Sequence, residues 1–161
     1  MNAQKLQATI SGYGLTAATL YGAVNPETGA LLIARSVEQD LPRKGTEFLK
    51  VGTPGMLDCQ IIFKPEFIGD AIEAWRQLKS TGRLQMEASA TRHDPDSRIQ
   101  VAKVRTTGSV YEIAPDVTSG QIAALAMAWL ALQQVSHNRA AGFSAAVAAS
   151  VYRVQPFGYF N

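Results

Sequence analysis

Pro65-Glu66-Phe67-Ile68-Gly69-Asp70-Ala71-Ile72-Glu73-Ala74-Trp75-Arg76-Gln77-Leu78-Lys79, followed shortly by Gly82 and by Arg83-Leu84-Gln85-Met86-Glu87-Ala88-Ser89-Ala90-Thr91, is the stretch that decides the fold. Ile68, Ala71, Ile72, Trp75 and Leu78 recur at the spacing of a helix with one buried stripe. Pro65 suits a first turn, and Glu66 and Asp70 complement the positive end of the helix dipole. Gly82 stops the helix, and the period then changes from 3.6 to 2. Leu84, Met86, Ala88 and Ala90 alternate with Arg83, Gln85, Glu87, Ser89 and Thr91, which predicts a strand with one buried face.

Working outward, Cys59-Gln60-Ile61-Ile62-Phe63 reads as a strand before the helix, and His93-Asp94-Pro95-Asp96-Ser97 as a turn after the second strand. Ile99 to Ile113 returns as a strand or pair of strands with a kink at Thr107-Gly108. Thr118 or Ser119 caps a second helix, where Ile122, Leu125, Trp129 and Leu132 form a stripe among Ala, Met and Leu. Asn138 to Gly142 reads as a break, and Phe143 to Val154 as a last strand. The order over residues 57–156 is strand, helix, strand, strand, helix, strand, which predicts an α+β domain with a ferredoxin-like βαββαβ core. Residues 1–56 read as a β-rich extension: Lys5 to Val24, a turn at Asn25-Pro26-Glu27-Thr28-Gly29 and Ala30 to Val37 make a β-hairpin. Leu41-Pro42-Arg43-Lys44-Gly45 and Gly52-Thr53-Pro54-Gly55 are further breakers around Glu47 to Val51.

A chain of 161 residues fits one domain with a core large enough to need no disulfide or metal staple. Its one cysteine, Cys59, cannot form an internal disulfide and sits in an apolar run that suits a core. Met1 to Leu15 lacks the apolar core of a signal peptide, and Ile122 to Leu132 is too short to span a bilayer, so a cytoplasmic protein with no membrane partner is expected. Charged residues make up 17% of the chain against a usual ~25%, which points to surface buried by copies of itself or by partners.

The net charge of +2 hides an uneven distribution. From Arg76 to Arg105 the chain carries Arg76, Lys79, Arg83, Arg92, Arg98, Lys103 and Arg105 against Glu87, Asp94 and Asp96, a local balance of +4. After Asp116 there is no acidic residue. A face carrying Arg83, Arg98, Lys103 and Arg105, with Arg92 beside it, would contact phosphates if exposed; the plainer reading is the solvated side of an antiparallel hairpin. Catalytic and cofactor patterns are absent from this reading. His93, Asp94 and Asp96 suit a turn more than a metal site, since no second cluster completes a ligand set. Cys59 and His137 are not linked by any sequence motif, and His137 suits the helix end, bonding its last carbonyls. Gly12-Tyr13-Gly14 lacks the third glycine of a phosphate-cradling loop.

The stretch Gly108-Ser109-Val110-Tyr111-Glu112-Ile113, the helix from Gln121 to Gln134, and Asn138-Arg139-Ala140-Ala141-Gly142-Phe143-Ser144 with its closing strand resemble the end of CRISPR repeat-associated RNA-binding proteins of the Cas7 and Cas5 type. Leu41 to Phe48 is a weaker echo of the same family. The resemblance implies a non-catalytic subunit that binds single-stranded, crRNA-like RNA along an assembly of like subunits. Under it Arg139 and the Gly142 loop, with His137 beside them, would meet the RNA backbone. The loop departs from the family in Ala140, Ala141 and Ser144, and no counterpart of a cleaving aspartate is present. Two other readings stay open. Low charge, Gly/Pro turns and the aromatics Phe157, Tyr159 and Phe160 suit a phage tail-tube-like virion subunit. An OB-type single-stranded DNA binder would use Tyr13, Tyr21 and Phe48 to stack on bases, although the second helix has no place in a minimal barrel.

Overall fold

The alternation in the first fifty residues builds the middle of a sheet. In a computed structural model of the chain, residues 3–14, 17–34, 48–56, 58–105 and 108–141 are described, with the backbone alone at 103–105, 109 and 136–141. Gln4–Ile10 (β1), Ala18–Val24 (β2) and Leu31–Ala34 (β3) pair antiparallel in succession. Leu49–Gly52 (β4) lies parallel to β1, Ile61–Ile62 (β5) parallel to β4, and Leu84–Met86 (β6) parallel to β3. The result is one mixed sheet in the order β5-β4-β1-β2-β3-β6. The β2–β3 turn forms where the sequence places it. Asn25 Oδ1 accepts the Glu27 N–H at 2.9 Å, and Gly29, at φ +78°, donates its N–H to the Asn25 carbonyl at 2.7 Å. A Cβ in that left-handed conformation would cost about 1–2 kcal/mol.

One face of the sheet is the core. Leu6, Ala8, Ile10, Leu20, Val24, Leu31, Ile33 and Val51 are 0–2% exposed, as period-2 alternation requires. Two helices cover this face: Ile68–Ser80 (α1), which follows a 3₁₀ turn at Pro65–Phe67, and Ser119–Ala141 (α2). α2 packs on β1 and β2, with α1 beside it. Gly22 permits the close approach, since a Cβ there would stand 2.7 Å from the Leu32 carbonyl oxygen and would crowd Met127. Trp129 of α2 stacks on Phe67 (5.4 Å, 12°) and meets Phe63 edge-on at 5.5 Å, tying both helices to the end of β5. Thr118 caps α2 in a reciprocal box: its Oγ1 accepts the Gln121 N–H at 3.3 Å, and Gln121 Oε1 accepts the Thr118 N–H at 3.0 Å. No helix among the described residues is long and apolar enough to cross a membrane.

Helices and strands in these proportions make an α+β protein; the ferredoxin-like core is not confirmed. Its strands would share one sheet, but β5 and β6 lie at opposite edges, four strands apart, and Ile99–Arg105 (β7) and Gly108–Ile113 (β8) form a separate two-stranded sheet. The residues expected to be an extension supply the four central strands. The strand expected over Arg83 to Thr91 ends at Met86, and Ala88–His93 turns into 3₁₀ helix. Ala and Ser alternate there in the right rhythm but offer little side chain to a pleated surface. The break expected at Asn138 is not seen either, because α2 continues to Ala141. The expected final strand and the Leu41–Gly45 breaker lie outside the described residues. The described strands form an open sheet, whereas the OB-type alternative expects a closed barrel.

Candidate nucleic-acid interface

The basic run divides between two sheets. Arg83 stands just before β6, where its guanidinium donates to the Thr28 carbonyl and, at 2.8 Å, to Thr81 Oγ1. It ties the β2–β3 turn to the end of α1 and is not part of a stripe with β7. Arg92 lies on the 3₁₀ segment and donates to His93 Nε2 at 3.2 Å. Arg98 precedes β7 and pairs with Asp116 at 3.1 Å, across the foot of the hairpin. Lys103 and Arg105 are in β7 itself. His137 and Arg139 belong to the last turns of α2, not to a loop, and Gly142 is outside the described residues. The expected face carrying Arg83, Arg98, Lys103 and Arg105 together is therefore not formed.

What does form is a two-stranded ribbon. Among the described residues β7 and β8 form ladders only with each other, with Ile99 opposite Ile113, Val101 opposite Tyr111, Lys103 opposite Val110 and Arg105 opposite Gly108. A bulge at Ala102 breaks the register. Cross-strand partners share a face, so Ile99, Val101 and Val104 fall on one side of the ribbon, and Gln100, Lys103 and Arg105 on the other. Were Ala102 paired as an ordinary ladder residue, strict alternation would set Lys103 and Arg105 beside Ile99 and Val101. The ribbon leaves the body near its midpoint: Ile99 and Ile113 pack against the core, whereas Val101 is 54% exposed, and Ala102 and Gly108 are exposed.

The root of the ribbon is fastened by α1. The Arg76 guanidinium lies 4.1 Å from the centroid of the Tyr111 ring, a cation–π contact. Next to Arg76, Trp75 Nε1 donates to Asp96 Oδ1 at 2.6 Å, and the Lys79 ammonium, one turn on, pairs with the other oxygen of Asp96. Trp75, Arg76, Lys79, Ser80, Asp96 and Ile99 line a cleft of about 330 Å³ between helix and ribbon. Arg76 and Lys79 are exposed, spaced i, i+3 on the open side of α1, and that spacing was the signal available in sequence. Nothing in the sequence pairs Arg76 with Tyr111, 35 residues on.

Asp94 Oδ1 accepts the Asp96 N–H at 2.9 Å, a turn-forming bond, and no group of three or more His, Cys, Asp or Glu among the described residues is placed to hold a metal. Cys59 is half-buried near Gly52, and burial, with Asp58 adding to it against Lys50, pushes its thiol above the ordinary value. That is the reverse of an activated nucleophile. Searches of protein-family models, of curated proteins and of solved structures found no match to this chain.

Proposed function

We propose that the chain is a non-catalytic single-stranded RNA-binding subunit of a larger assembly, with the β7–β8 ribbon as the arm that meets the phosphate backbone. The observation that carries this reading is the bulge at Ala102, which sets the register positions of Lys103 and Arg105 on the face opposite Ile99 and Val101, in a ribbon that stands clear of the body. A bare ribbon with two cations at its outer end suits an extended polyanion; Arg76 and Lys79, at its root, lie against the opposite face, that of Ile99 and Tyr111. The narrower reading, a CRISPR-type ribonucleoprotein subunit working in the cytoplasm with copies of itself, rests on the resemblance of residues 108–113, 121–134 and 138–144.

Filter binding of a labelled RNA strand over a range of salt tests the proposal. Each phosphate contact on a single strand contributes roughly 0.7 to the slope of log K against log salt. The double variant Lys103→Ala/Arg105→Ala is expected to bind more weakly and to lower the slope by about 1.4. An unchanged slope and affinity in that variant would remove the ribbon from the interface.

A further inference from the structure

The two strands of the ribbon are held to α1 unequally. The β7 side carries most of the polar fastenings. Asp96, just before the strand, accepts the Trp75 indole at 2.6 Å and pairs with the Lys79 ammonium, and Arg98 pairs with Asp116 at 3.1 Å. Trp75 is fully buried, so its bond to Asp96 is anchored in the core. On the β8 side, Tyr111 and Ile113 pack against the core, and the Arg76 guanidinium lies over the Tyr111 ring, 4.1 Å from its centroid. Helix and ribbon are not packed solid between them, since the cleft of about 330 Å³ runs from Arg76, Lys79 and Ser80 of α1 to Ile99 of β7.

A strand pair fastened along one edge can swing about that edge, and a contact on the other strand stops the swing. Arg76 supplies that contact. Its side is exposed, so the guanidinium is not needed to complete the core. It grips the face of Ile99, Val101 and Tyr111, and the opposite face, with the register positions of Lys103 and Arg105, is thereby turned away from α1. We infer that Arg76 is a positioning residue: stacked on Tyr111, it latches the ribbon against α1 and so presents the Lys103 and Arg105 face to the RNA backbone. The inference deepens the RNA-binding proposal and rests on it. A cation–π contact at an exposed site shifts an equilibrium by about 2- to 5-fold, which sets the size of the effect the latch can have.

The arm is read first without RNA, from the distance between spin labels placed by Val101→Cys on the ribbon and Asp70→Cys on α1, in a Cys59→Ser background. The distribution is expected to be narrow in the otherwise unchanged chain and in Tyr111→Phe, which keeps the ring, and broad in Arg76→Gln and Tyr111→Leu. Equal widths throughout would overturn the latch. Because Arg76 is exposed, Arg76→Gln carries the test even where Tyr111→Leu disturbs packing. Affinity for a labelled single-stranded RNA is then measured over a range of salt on the unlabelled chains. Arg76→Gln and Tyr111→Leu are each expected to bind about 2- to 5-fold more weakly with an unchanged salt slope, and Tyr111→Phe to bind as the wild type. A slope lowered by about 0.7 in Arg76→Gln would make Arg76 a phosphate contact and overturn the positioning role. A broadened arm with undiminished affinity would overturn it as well. Absence of RNA binding by the unmodified chain at low salt would remove the reading on which the inference rests, and the label distances, taken without RNA, distinguish that failure from a failure of the latch.

Discussion

At the scale of single residues, burial keeps the Cys59 thiol protonated. Cys59 is the one thiol, and burial followed by the neighbouring Asp58 raises its pKa. A raised folded-state pKa means that the folded chain holds the proton more tightly than the unfolded one. The associated stability is present below the unfolded thiol value of about 8.5 and is lost as pH rises through the folded value. Alkylation by iodoacetamide, followed against pH, is therefore expected to have its midpoint at higher pH for native protein than for the same chain in urea. A native midpoint at or below the unfolded one would mean that the thiol is activated, and the case against a nucleophile would fail. Asp96 shows the same economy of means. It accepts the Trp75 indole at 2.6 Å and pairs with Lys79, so a residue that reads in sequence as a candidate ligand is occupied in fastening α1 to the foot of the ribbon.

At the scale of elements, strong periodicity was readable and short or small-residue segments were not. The helix at Ile68–Ser80, with Ala71, Ile72, Trp75 and Leu78 buried, follows directly from its spacing, as does the Thr118 cap from the Thr-x-x-Gln pattern. The β2–β3 hairpin is equally legible from its turn, whereas the hairpin expected to join Arg83–Thr91 to Ile99–Ile113 through His93–Ser97 is not formed: β6 pairs with β3, and β7 with β8 beyond the expected kink. What alternation alone could not tell was which strands share a sheet. The parallel pairings of β4 with β1 and of β6 with β3 join segments far apart in the chain, and no local signal encodes them. The bulge at Ala102 was hidden for a related reason: an extra residue in a ladder is visible only once the partner strand is known. Of the candidate site, Arg98, Lys103 and Arg105 were readable as a basic run, whereas the Arg76–Tyr111 contact and the split of Arg83 from the ribbon depend on tertiary placement. Inserting one residue between Val110 and Tyr111, opposite Ala102, tests the register argument. The regular ladder would move Lys103 and Arg105 to the face of Val101, and RNA affinity is expected to fall while circular dichroism and thermal midpoint stay close to the wild type. Unchanged affinity after the insertion would show that the ribbon's facing is irrelevant to binding.

At the scale of the whole molecule, a net charge of +2 describes the chain poorly. On the main sheet Lys5 is 6% exposed and Lys50 pairs with Asp58 at 2.9 Å, whereas the ribbon places the register positions of Lys103 and Arg105 on one face. Meanwhile α2, with every residue from Ile122 to Ala131 at most 1% exposed, is spent on the core. Few charges gathered on one ribbon face can bind a polyanion where the same number spread evenly would not. The most direct measurement is the anisotropy of a labelled single-stranded RNA titrated with the unmodified chain at about 50 and about 200 mM salt. The account predicts saturable binding at the lower salt and a marked loss of affinity at the higher one. No binding at the lower salt, or binding indifferent to salt, would contradict it.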